Sequence, residues 1–121
     1  MIDNFISYIC DKYFIMSNVI YSDVTKTTAR YAKALGHPVR LSILKHISNQ
    51  NCCYTGDLVD VIPMAQSTIS QHLKELKDAG LIIGEIELPK IKYCIHQENW
   101  NKAKRLLENL FNQDFTSISC C

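Results

Sequence analysis

The chain has 121 residues, with 13 basic and 12 acidic side chains, a formal charge of +1 and an apolar fraction of 47%. That length suits one compact domain with a modest core, for which pairing with a second copy is the expected supplement. The balanced charge lacks the strongly basic signature of many nucleic-acid binders, so any positive field must come from how the charges are segregated.

In residues 1–20, Ile2, Phe5, Ile6, Ile9 and Tyr13 recur at helical spacing, with Cys10 among them. This predicts an amphipathic extension that docks on the body or on a partner. Asp11 and Lys12 interrupt the apolar run, so neither a signal peptide nor a membrane span fits. Met16 is an alternative start. The expected compartment is the cytoplasm, without a membrane partner, and there the six cysteines are expected as thiols.

Thr25 to Leu35 reads as a helix ended by Gly36, and Pro38 suits the first turn of the next, whose core face is Leu41, Ile43, Leu44 and Ile47. Thr55 is the expected N-cap of a short helix through Ile62, with Asp57 in its first turn and Pro63 as its stop. A longer helix follows from Gln66 to Ala79. Its apolar positions Ile69, Leu73 and Leu76 define one side, while Ser67, Thr68, Ser70, Gln71, His72 and Lys74 crowd its front. A short helix, a turn and a longer helix make a helix-turn-helix. Leu81 to Glu87 and Ile91 to His96 read as two strands joined around Leu88, Pro89 and Lys90, the expected wing. From Gln97 to Phe115 a last helix carries Trp100, Ala103, Leu106, Leu107, Leu110 and Phe111 on one face, which suits a symmetry mate.

The predicted fold is therefore mainly α with a small β-hairpin, a winged helix-turn-helix dimerising through terminal helices. Residues 1–20 form an extension, 21–115 the DNA-binding and dimerisation domain, and 116–121 a cysteine-bearing tail. Short polar side chains at the start of a helix reach base edges, while N–H groups and lysines there hold phosphates. Double-stranded DNA is the expected partner.

The runs ALGHPVRLSILKHI (Ala34 to Ile47) and GDLVDVIPMAQSTISQHLKELKDAGLI (Gly56 to Ile82), with Ser67, Ser70, His72, Leu73 and Leu76 in an S-x-x-S-x-H-L-x-x-L pattern, resemble the ArsR/SmtB family of bacterial winged-helix repressors. The resemblance spans Thr25 to Phe111. It implies a homodimeric repressor released from its operator by a metal, metalloid or redox signal. It assigns DNA contact to Gln66, Ser67, Thr68, Ser70, Gln71, His72 and Lys74, with Lys90 and Lys92 as phosphate contacts of the wing.

Cys52 and Cys53 adjoin the first helix of this pair, and Cys120 and Cys121 end the chain. Adjacent thiols suit a soft ion, so trivalent arsenic or antimony on Cys52, Cys53 and a third sulfur from Cys120 or Cys121 is the expected inducer, with no permanently bound cofactor. The C-x-C-D arrangement of arsenic-sensing relatives is displaced here, since aligning its aspartate on Asp57 puts Tyr54 and Gly56 where its cysteines stand. The terminal helix holds no histidine, which disfavours a zinc site there. Cys94 and Cys10 are expected as small buried apolar residues. The rival within the class is a redox or persulfide sensor linking Cys52 or Cys53 to a tail cysteine. A cysteine-dependent reductase is disfavoured because the chain has no C-x-x-C, no phosphate-cradling glycine loop and no histidine placed beside Cys52 or Cys53.

Overall fold

The computed structural model describes residues 21–113, so the expectations for the amphipathic extension and for Cys10, Cys120 and Cys121 lie outside the described residues. The elements run α1 (Asp23–Leu35), α2 (Pro38–Gln50), β1 (Cys52–Tyr54), α3 (Thr55–Val61), α4 (Gln66–Asp78), β2 (Ile82–Glu87), β3 (Lys90–Ile95) and α5 (Gln97–Phe111). The three strands form one antiparallel sheet in the order β1-β3-β2.

Helix starts follow local chemistry. Ser22 caps α1 by accepting from the Thr25 N–H at 3.2 Å. His37 and His96 cap α2 and α5, each accepting through Nδ1 from the N–H of Val39 (3.1 Å) and Asn99 (3.2 Å). Thr55 is not the cap of α3. That position belongs to Tyr54, whose N–H donates to Asp57 Oδ2 at 3.1 Å, so the carboxylate closes the turn from inside it.

The core forms where α2, α3, α4 and the sheet meet. Ile43, Ile47, Leu58, Ile69, Leu73, Leu76 and Leu81 are fully buried. Burial of each such side chain contributes about 1.5–3 kcal/mol against exposure. Tyr31 and Ala34 attach α1 to this core, and Ala103 attaches α5.

Strand β1 was not anticipated as a third strand. Asn51, at φ 66°, turns the chain out of α2 into three extended residues that pair with β3, with Cys52 opposite Cys94, Cys53 opposite Tyr93 and Tyr54 opposite Lys92. Side chains alternate across a strand, so Cys53 enters the core, 2% exposed, while Cys52 and Tyr54 share the outer face. Two expectations are corrected here. Cys52 is disulfide-bonded to Cys94, so these two cysteines are not thiols, and Cys94 is a half-buried bonding partner instead of a small apolar core residue.

Gly80 ends α4 at φ +84°. Its carbonyl accepts from Asn99 Nδ2 at 2.9 Å, and an added Cβ would meet that same nitrogen at 2.9 Å. Left-handed backbone and close approach together require glycine. Gly80→Ala is expected to lower the unfolding free energy by about 2 kcal/mol, read from the urea midpoint at constant slope.

Candidate nucleic-acid interface

Pro63 and the following turn redirect the chain from α3 into α4 without a side-chain cap, since Ala65 at the N-cap has no oxygen to offer. First-turn N–H groups of a helix left in that state suit an anion. Along α4 the apolar stripe is sealed, while Gln66, Ser67, Ser70, Gln71 and Lys74 are exposed and Thr68 is half-buried. A shallow groove runs from this face across to the wing, lined among others by Thr55, Asp57, Gln66, Ser70 and Lys90.

His72, expected among these contacts, has a different setting. It is half-buried, its ring centroid lies 4.3 Å from that of His37, and its Nδ1 accepts from Arg40 Nε at 3.3 Å. Burial, then the neighbouring His37 and Arg40, pushes its pKa below the ordinary 6.5. Arg40 also donates through Nη1 to the carbonyls of Lys33 (3.3 Å) and Ala34 (3.2 Å), closing the end of α1. The His72 side chain thus packs against Arg40 of α2 and that helix's cap, His37, beside the open face of α4. The LGHPVR run contained Arg40, but only the tertiary fold discloses its partner.

The wing is likewise split. Lys90 is exposed at its tip, with Nζ 5.4 Å from the centre of the Tyr54 ring. Lys92, also expected on phosphate, is held by Glu87 Oε1 at 3.3 Å and Glu85 Oε2 at 3.7 Å. The Tyr54 hydroxyl donates to the other oxygen of Glu87. These bonds hold Glu87 below the usual carboxylate range and raise both Tyr54 and Lys92. The ammonium of Lys92 is thus engaged within the hairpin, and Tyr54 ties β1 to the same Glu87. Register explains the cluster: Tyr54, Lys92 and Glu85 are successive cross-strand partners on one face, with Glu87 two residues along.

Of the cysteines expected to share a metal, Cys120 and Cys121 lie outside the described residues, and Cys52 and Cys53 do not converge. Cys52 is bonded to Cys94, and Cys53 faces inward with its thiol pushed up to about 11, first by burial and then by Asp57. Among the described residues no cluster of three His, Cys, Asp or Glu side chains has the geometry of a metal site. No described helix is long and apolar enough to cross a membrane.

The depressed pKa of His72 carries a pH signature. Below about 6.5 the unfolded chain takes up a proton that folded His72 refuses, so this contribution to stability is present above that pH and is lost as the pH falls. Urea midpoints followed from pH 7.5 to 5.5 are expected to decline in the wild type and to decline less in His72→Gln, whose amide oxygen still accepts from Arg40.

Comparison with known proteins agrees with this geometry. Residues 37–83 match the family described as "Bacterial regulatory protein, arsR family". The chain is 34% identical to the HTH-type transcriptional regulator YgaV of Escherichia coli over 69% of its own length and 84% of that protein. It is 36% identical to the HTH-type transcriptional repressor SmtB of Mycobacterium tuberculosis, over 52% of this chain and 46% of the repressor. In fold it is similar to the homodimeric winged helix-turn-helix DNA-binding domain of Mb0332 from Mycobacterium bovis, with a TM-score of 0.61, 24% identity, and coverage of 84% of this chain and 96% of that one. A buried helix-turn-helix with a polar reading face, a wing and this sequence kinship place the chain in the ArsR family of DNA-binding transcriptional regulators.

Proposed function

We propose that this protein is a repressor that grips a double-stranded operator as a homodimer, with one copy of α4 entering each of two major grooves about one helical turn apart. The observation that carries the reading is the division of α4 into a sealed stripe, Ile69, Leu73 and Leu76, and an open face of Gln66, Ser67, Ser70, Gln71 and Lys74. The amide of Gln71 has the donor and acceptor pair that matches adenine, and the serine hydroxyls match either kind of edge. Lys74 and Lys90 supply charge for phosphate. The protein acts by occupying DNA, without catalysis.

Dimerisation rests on the outer face of α1 and α5. Val24 is 61% exposed, Leu110 43% and Phe111 78%, around a groove also lined by Ala29, Ala32 and Leu106. An apolar patch of this kind is characteristic of an association surface.

The inducer that follows from the thiols is trivalent arsenic or antimony. In this reading the ion enters a reduced form, in which Cys52 has left Cys94 and β1 has turned Cys53 outward, and gains a third sulfur from Cys120 or Cys121 of either subunit. Because the ion binds that released form better than the DNA-bound one, the coupling amounts to ~1–3 kcal/mol.

Two measurements test the proposal. Gln71→Ala is expected to weaken specific binding by about 1–3 kcal/mol with the dimer intact, and unchanged affinity across salt concentrations contradicts the α4 assignment. Arsenite added to the reduced wild type is expected to release DNA, whereas the Cys52→Ser, Cys53→Ser double variant stays bound. Equal release by both proteins ends the metalloid reading.

A further inference from the structure

Among the described residues, the bond between Cys52 and Cys94 is a reactive feature that DNA reading and dimerisation leave unused. Cys52 opens β1, two residues before Tyr54 caps α3, and Cys94 lies in β3, the central strand, four residues from Lys90 at the wing tip. The two are direct register partners, and both are half-buried.

Strand alternation puts Cys52 and Tyr54 on the outer face of β1, and Cys94, Lys92 and Lys90 on the matching face of β3. The disulfide is therefore in line with the Tyr54, Glu87 and Lys92 cluster. Both cross-link the segment entering the helix-turn-helix to the wing on this face, beside the backbone pairing of β1 with β3 and the Lys90 contact with Tyr54. One is covalent and reversible. The other consists of exposed polar contacts, whose individual contributions are small.

We propose that Cys52 and Cys94 form a thiol–disulfide modification site, oxidised by a hydroperoxide and reduced by a dithiol, whose bonded form is the tighter DNA binder. This rests on the DNA-binding reading of α4 and the wing. For DNA to be gripped, Lys90 must lie on phosphate while α4 is in the groove; β2 joins the two directly along the chain, and a second route runs through α3 and the β1–β3 pair. A covalent tie fixes that second route before binding, so less conformational freedom is lost on association.

The chemistry balances within the pair. One cysteine, as thiolate, attacks the outer oxygen of the hydroperoxide; the O–O bond breaks, and a sulfenic acid and an alcohol (water, for hydrogen peroxide) result. The second thiol attacks the sulfenic sulfur, the S–S bond forms and water leaves. The two sulfurs lose two electrons and the peroxide gains two. In reverse, a dithiol forms a mixed disulfide with one cysteine, frees the other, and departs as its own disulfide. Cys53 stays out of this exchange: it is sealed on the opposite face, and its thiol holds its proton far above neutral pH.

The test uses the full chain and a labelled duplex enriched from a random library by the wild type, with affinity read by fluorescence anisotropy. Peptide mass mapping tracks whether Cys52 and Cys94 are joined. Dithiothreitol treatment is expected to weaken binding roughly three- to tenfold, through lost preorganisation, and hydrogen peroxide to restore it. Cys94→Ser is expected to stay at the weaker affinity under both treatments, and Cys53→Ser to respond as the wild type does. Equal affinities with the bond demonstrably made and broken, tighter binding by the reduced form, or failure of peroxide to join the pair each overturn the proposal. Failure of the folded protein to enrich any duplex in either redox state defeats the DNA-binding reading instead, which separates the two.

Discussion

The burial of Ile69, Leu73 and Leu76 is the constraint on which the remaining structure depends, because it fixes the rotation of α4 about its own axis. A helix whose three core positions are sealed has one remaining direction in which to present Gln66, Ser70, Gln71 and Lys74. The cost of turning it, several kcal/mol of apolar exposure, exceeds what a few polar contacts to DNA contribute. Core packing thus decides which residues can meet a partner, and Arg40 of α2 reinforces the same rotation through His72.

The sheet applies an equally simple rule to the thiols. Period-two alternation separates two adjacent cysteines, sending Cys53 inside and Cys52 to the surface opposite Cys94. A shared grip by the neighbouring sulfurs requires that β1 be rearranged. The same alternation aligns Tyr54, Lys92, Glu85 and Glu87 on the outer face, where Lys92 is held by both carboxylates while Lys90 at the wing tip is exposed.

Most of the fold was legible in the chain. Pro38, Pro63 and Gly80 marked element ends within a residue or two, and the spacing of Ile69, Leu73 and Leu76 disclosed the orientation of α4. Gln66, Ser67, Ser70, Gln71 and Lys74 lie together on its exposed side as anticipated. Most of what was missed is non-local. Cys52 and Cys94 are 42 residues apart, and only the β1–β3 pairing, three residues long and without periodicity of its own, brings them together. The partner of His72, Arg40, is likewise distant, 32 residues away, whereas Glu87, which holds Lys92, lies only five residues from it across the hairpin.

One guanidinium links the end of α1, the base of α2 and the flank of α4. Arg30 adds a second strut, from α1 to the carbonyl of Asp78 at the far end of α4. The C-terminal half of the helix bearing the apolar outer patch is therefore braced to the middle and the end of the helix bearing the polar front. In the proposed twofold pair, the distance between the two fronts would be inherited from this bracing, so contacts outside the open face of α4 would set the spacing of the half-sites the pair can span.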